Sequence, residues 1–218
     1  MLEAATSDER QVTRSDDTAV PKRAWQRMLS GRRLDLLDPS PADIEIEDIA
    51  HGLARVARWN GQTIGEHAFS VAQHALVVED IALARNPQWE PRWRLAALLH
   101  DAPEYVVGDL ISPFKTAIGL DYKALELRLL AAIHLRFGLP EQLPSDVQRE
   151  IKAADRVAAY FEATRLAGFD EAEATIYFGR PNDLPPPLVA TLSALAPLPA
   201  QAAQQRFLSR FRDLIERF

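Results

Sequence analysis

Apolar positions recur along this chain at steps of three and four, and alternating strand-like stretches are scarce. A basic, glycine-broken stretch and a proline-bounded turn fill 22–41. From Asp43, the residues Ile46, Ile49, Ala50, Leu53, Val56 and Ala57 trace one face of a helix that Asn60-Gly61 ends. A second helix is expected from Ser70, whose hydroxyl suits an N-cap, to about Arg85, where Asn86-Pro87 stops it. Pro91 suits the first turn of a third, which runs through an apolar stretch to about Val107 and closes at Gly108. A loop or short helix surrounds Pro113. Amphipathic helices are expected over 121–137 and roughly 146–167, ended by Gly138 and Gly168. The proline-rich segment 180–199 reads as linker with one short helix. Residues 200–217 read as a surface helix with Phe207, Phe211 and Leu214 on one side, an ordinary core pattern. The pattern predicts an all-α fold without internal repeats. It divides into a flexible arm over 1–20, a core over 21–179, and a C-terminal segment over 180–218 that packs on the core.

Composition narrows the chemistry. A chain of 218 residues can bury the core of one domain, and 47% hydrophobic residues argue against bulk disorder. No apolar run approaches the ~20 residues needed to span a bilayer, and the polar N-terminus lacks the apolar centre of a secretory signal. A cytoplasmic protein without membrane partners is expected. With no cysteine, any metal must be held by His, Asp and Glu, a set suited to Mn, Fe, Co, Ni, Zn or Mg. A net charge of −6 argues against a nucleic-acid polymer as partner but permits a local basic pocket for a small phosphorylated substrate.

Three apolar helices each carry ionisable residues. In RLAALLHDAPEY, His100 and Asp101 follow a run of Leu and Ala. Burial disfavours such groups unless they are paired or bound to metal. Adjacent helical residues point roughly 100° apart, yet a long imidazole and a short carboxylate can converge on one ion. Glu104, four residues after His100, shares its face and could orient or deprotonate a water. Taken alone, the pair is better read as a satisfied core histidine beside a capping or salt-bridged aspartate. In SVAQHALVVEDIA, however, His74 sits near the core side, and in EIKAADRVAAYFEATRL, Asp155 lies on an apolar flank. Two His and two Asp from three helices would make a four-ligand site with positions open to water and substrate.

This order, His…His-Asp…Asp, resembles the HD superfamily of metal-dependent phosphohydrolases, whose fold is an all-α HD-domain helical bundle. ARWNGQT, VAQHALVV, LLHDAPEYVVGDLISPFK and IKAADRVAAY together resemble the bacterial HD-domain 5′-deoxynucleotidases. The block SGRRLDLLDPSPADIEIEDIAHGLARVARWNGQT is also similar to the branch containing a phage dATP triphosphohydrolase. The resemblance spans roughly residues 28–170. It implies that His74, His100, Asp101 and Asp155 hold one divalent ion, that Glu104 is the acid/base residue, and that Asp109 is a further acidic residue of the active site. It implies that Arg58 and Trp59 contact the phosphate and sugar of a nucleotide. Glu66-His67 also looks like the Glu-His that supplies the first ligand in the deoxynucleotidases. His74 is preferred because it lies inside the apolar helix, 15 residues after Trp59, which leaves His67 for the substrate.

Softer candidates surround this set. His51 and His134 suit packing. Lys115, in SPFK, suits either phosphate binding or a solvated loop. Arg32 and Arg33 suit the surface. The expected activity is 5′-nucleotidase action on (deoxy)nucleoside monophosphates. The alternative is a dNTP triphosphohydrolase, for which Arg32, Arg33 and Lys115 are the evident extra cations. A third reading is a non-catalytic nucleotide sensor. Its expected mark is a lost ligand or acid, and none is lost here. The apolar helices and the resemblance suggest a homodimer.

Overall fold

Residues 24–110, 120–182 and 184–218 are described by a computed structural model. Lys115 and the arm expected over 1–20 lie outside them. A small antiparallel hairpin comes first, in which β1 (Trp25–Arg27) pairs with β2 (Arg33–Asp35), Gln26 opposite Leu34. Three-residue strands offer too little alternation to be read from sequence. The turn of the hairpin is tied down by Asp48, which is buried and accepts from Ser30 N at 2.9 Å and Ser30 Oγ at 2.6 Å. Asp48 lies in the first turn of α1 (Ile46–Leu53), so one carboxylate joins hairpin and helix.

Two helices differ from expectation. α1 ends near Leu53 rather than reaching Asn60. Beyond it the backbone becomes extended and pairs with the segment before the next helix: Arg58 N donates to Phe69 O at 2.8 Å, and Val71 N to Val56 O at 3.0 Å. α2 (Val71–Arg85) begins as expected, with Ser70 Oγ accepting from Gln73 N. The helix expected over 91–107 is two helices, α3 (Pro91–Leu98) and the short α4 (Glu104–Val107). Pro103 explains the break. It has no N–H to give Leu99, and its ring crowds the preceding turn. Leu99 O accepts from Ala102 N instead, at 2.9 Å. His100 and Asp101 therefore stand in a turn between helices, not on a continuous helix.

The rest of the bundle is α5 (Leu120–Arg136), α6 (Ser145–Arg165), α7 (Glu171–Phe178), α8 (Pro186–Ser193) and α9 (Ala200–Ile215). α7 is an addition to the expected set. The described residues are mostly helical, with the hairpin as their two-stranded sheet, so the chain is the all-α bundle expected of an HD domain.

α2 is the central element because nearly every side of it is buried. It packs against α6, α3 and α9. Phe207, Ile81, Leu95 and Leu98, all fully buried, belong to the core they share. Phe207, Phe211 and Leu214 of α9 are all buried, as its spacing predicts. Two polar devices fix the packing. Glu79, fully buried on α2, accepts from Arg94 of α3 at 2.6 Å and also from Arg210 of α9. Gln73 uses its amide like a peptide, donating to Ala196 O at 2.7 Å and accepting from Leu198 N at 2.9 Å. The segment between α8 and α9 is thereby strapped to α2 beside His74.

Candidate metal and phosphate site

His74, one turn into α2, is fully buried. Its Nδ1 lies 2.5 Å from Glu162 Oε1 of α6, which directs Nε2 the other way. Nε2 comes within 3.4 Å of Asp101 Oδ2 and 3.2 Å of Asp155 Oδ1. His100 is held likewise, with Nδ1 2.8 Å from Ala97 O and Nε2 3.2 Å from the same Asp101 Oδ2. The two imidazole centroids are 5.3 Å apart. Ligand atoms of His74, His100 and Asp101 all lie within 4.8 Å of one another. Asp155 borders this group from α6 and, with a side chain 40% exposed, faces its open side.

These residues fit a divalent ion on two grounds. Both Nε2 atoms are buried yet have no partner in hydrogen-bond geometry, a costly state unless the lone pairs are used. Three carboxylates, of Asp101, Asp109 and Glu162, also gather around one guanidinium, that of Arg58, and a fourth, Asp155, stands beside His74, so a dication would offset excess negative charge. All the donors are imidazole nitrogen or carboxylate oxygen, as first-row divalent metals prefer.

Arg58 and Trp59 approach from the other side. Arg58 Nη1 is 3.3 Å from Asp109 and 3.9 Å from Asp101, while Nη2 is 3.4 Å from Glu162. Burial works against its charge, but Glu162 and the aspartates hold its pKa above the ordinary value. Trp59 Nε1 donates to Glu162 Oε2 at 2.9 Å. The backbone of Trp59 and Asn60 is left-handed, with φ of 57° and 51°, which a bulky residue adopts only when its surroundings demand it. Here they do, since the indole is fixed by Glu162 at one end and bedded on Phe169 and Phe178, with centroids 5.7 and 5.8 Å away.

The electrostatics follow from this arrangement. Burial alone would raise the Glu162 carboxyl, but His74 and Arg58 bring it down to about 2. Burial and Arg58 push the His74 ring down, yet Glu162, Asp101 and Asp155 outweigh them and raise it. Burial raises Asp101 and Asp155, while His100 and His74 hold the first, and His74 the second, below the usual carboxylate range.

The structure thus gathers His74, His100, Asp101, Asp155, Arg58, Trp59 and Asp109. Glu104 opens α4 one turn after Asp101 and is 1% exposed. His67 is half-buried in the loop before α2 and outside the cluster. His134 is buried on α5, and His51 is half-buried on α1. Arg32 pairs with Glu45 at 2.7 Å on the surface, and Arg33 stacks over Trp25. Glu162 is the residue the sequence reading misses. Its signal was present: it follows Asp155 by two helical turns and stands between Phe161 and Ala163, where an unpaired carboxylate would be expensive.

The family described as 5′-deoxynucleotidase YfbR-like matches residues 50–173, a span that contains every member of this cluster. An uncharacterized protein of Rhodobacter capsulatus is 60% identical over 194 residues, 89% of this chain and 97% of that protein. The uncharacterized protein YfdR of Escherichia coli is 31% identical over 174 residues, 80% of this chain and 86% of YfdR.

Proposed function

Because the chain belongs to the 5′-deoxynucleotidase YfbR-like family, we propose that it is a divalent-metal-dependent phosphohydrolase that removes the 5′-phosphate of deoxynucleoside monophosphates. The observation that carries the reading is the pair of buried, unsatisfied Nε2 atoms of His74 and His100 aimed at one Asp101 oxygen beside Arg58. His74, His100, Asp101 and Asp155 would hold the ion. A divalent ion there supplies Lewis-acid polarisation of phosphoryl oxygens and a lowered pKa for water.

The chain's own groups do the remainder. Arg58 offers a planar fork suited to phosphate oxygens, and its burial strengthens that grip. Trp59 presents its ring to sugar or base. Glu104 or Asp109 takes the proton of the attacking water. The new P–O bond forms as the bond to the 5′-oxygen breaks, and the proton passes to that leaving oxygen. His67, and Lys115 outside the described residues, are the further residues proposed to bind the substrate.

The test is product analysis across dNMPs, NMPs and dNTPs. Orthophosphate released from dNMPs is the expected result. The likeness of residues 30–63 to a dATP triphosphohydrolase gives the contrary result its form: triphosphate from dNTPs with no release from dNMPs would replace the substrate. Nucleotide binding without turnover would replace the enzyme with a sensor.

A further inference from the structure

The carboxylate of Glu162 is fully buried and accepts from both halves of the site. Oε1 takes the Nδ1 side of His74 at 2.5 Å. Oε2 takes the indole N–H of Trp59 at 2.9 Å, and Nε and Nη2 of Arg58 lie 3.4 Å from it. Both oxygens of Glu162 are thus taken up by His74, Arg58 and Trp59. We infer that Glu162 is a positioning residue that couples ion binding to nucleotide binding, one oxygen fixing the His74 ring and the other seating Arg58 and Trp59. This inference rests on the metal-centre reading above.

The chemistry is one of donor and acceptor count. An ionised carboxylate can only accept, so His74 must carry its ring proton on Nδ1 and leave the Nε2 lone pair for an ion. The same carboxylate neutralises Arg58 and holds the left-handed Trp59 in place, so the nucleotide grip and the ligand tautomer share a support. Losing the support therefore moves both, and a shape-conserving substitution reads each side by its own measurement.

Glu162→Gln keeps size but has one acceptor oxygen and one amide nitrogen. The oxygen is required on the side of Arg58 and Trp59, where the donors are two residues, one of them charged. The amide nitrogen then meets His74 Nδ1, which must accept, and the ring proton moves to Nε2. An Nε2 bearing a proton does not ligate. Zinc affinity of the metal-stripped protein, measured against a chromophoric chelator, is expected to fall about 10- to 100-fold. The His74 tautomer, read by ¹⁵N NMR at alkaline pH, is expected to switch from Nδ1–H to Nε2–H. The chain has five histidines, and a His74→Ala spectrum assigns the signal. KM for a dNMP at saturating zinc is expected to rise as well, because the neutral amide no longer offsets the Arg58 charge that the carboxylate seats.

Glu162→Asp is the second variant, and it keeps the inference testable if the glutamine variant does not fold. It retains an acceptor-only carboxylate, set back by one methylene. It is expected to keep the Nδ1–H tautomer and to lose less zinc affinity than the glutamine. An unchanged zinc affinity and tautomer in Glu162→Gln, with affinity lost in His74→Ala, would overturn the inference and leave the metal-centre reading standing. If the glutamine does not fold, an Nε2–H tautomer or unchanged zinc affinity in Glu162→Asp overturns it. An unchanged affinity in His74→Ala would overturn both.

Discussion

Gly52 gives the sharpest test of how the fold positions Glu104, the proposed acid/base residue. It lies near the end of α1, against α4. A Cβ placed there would sit 2.8 Å from Tyr105 Cβ and 3.0 Å from Tyr105 O, the latter being backbone that cannot swing away. Carbon atoms in ordinary contact stand about 3.5–4.0 Å apart, so Gly52→Ala must push α4 outward by roughly 1 Å. Overpacking of this kind costs about 1–3 kcal/mol. Alanine recovers up to about 1 kcal/mol of helix propensity, leaving a net loss of roughly 0–2 kcal/mol. The larger effect is on turnover, because Tyr105 follows Glu104 directly and α4 leads through Gly108 to Asp109. A displacement of that size can cost about 100-fold in rate. Denaturant unfolding reads the first quantity, and phosphate release at saturating metal and substrate reads the second. A variant stabilised by the full propensity gain with unchanged kcat would refute the reasoning, since α4 would then not need its present place.

Three further predictions come from buried charge. The raised pKa of His74 means that an ion must displace a proton, so zinc affinity should fall by about tenfold per pH unit below that pKa and level off above it; affinity independent of pH would contradict this. In the metal-free protein the sign reverses: the raised pKa contributes stability that is complete below the ordinary 6.5 and lost as pH rises through the folded value, which unfolding of metal-stripped protein against pH would show. Glu79→Ala should destabilise by about 3 kcal/mol, because Arg94 and Arg210 lose the carboxylate that joins α2, α3 and α9; a change near zero in denaturant unfolding would mean that both guanidinium groups reach water instead.

The parts of the site legible in the sequence share one property: an ionisable side chain on a face that is otherwise apolar. His74, beside Ala75 and Val78, shows itself this way, as do His100 after Leu98-Leu99 and Asp155 beside Ala154. Glu162 obeys the same rule and is missed only because no motif draws attention to it. α7 also left a mark, since Asp170 and Glu173 have capping-box spacing and Asp170 Oδ1 accepts from Glu173 N at 2.8 Å. Other features are not local. The left-handed pair at Trp59 and Asn60 depends on Glu162, Phe169 and Phe178, about a hundred residues away. The end of α1 depends on backbone bonds to the segment before α2. The break after Leu98 was hidden by the apolar run, although Pro103 states the physical cause.

The most direct measurement is phosphate release from dNMPs by metal-stripped protein, with Mn, Co, Ni, Zn or Mg added back, beside Asp101→Ala. Asp101 Oδ2 is the atom on which both imidazoles and Arg58 converge, so its removal takes away the centre and little else. The account predicts release that appears only with added ion and is absent from the variant. Release without any ion, or release by Asp101→Ala at the same rate, would contradict it.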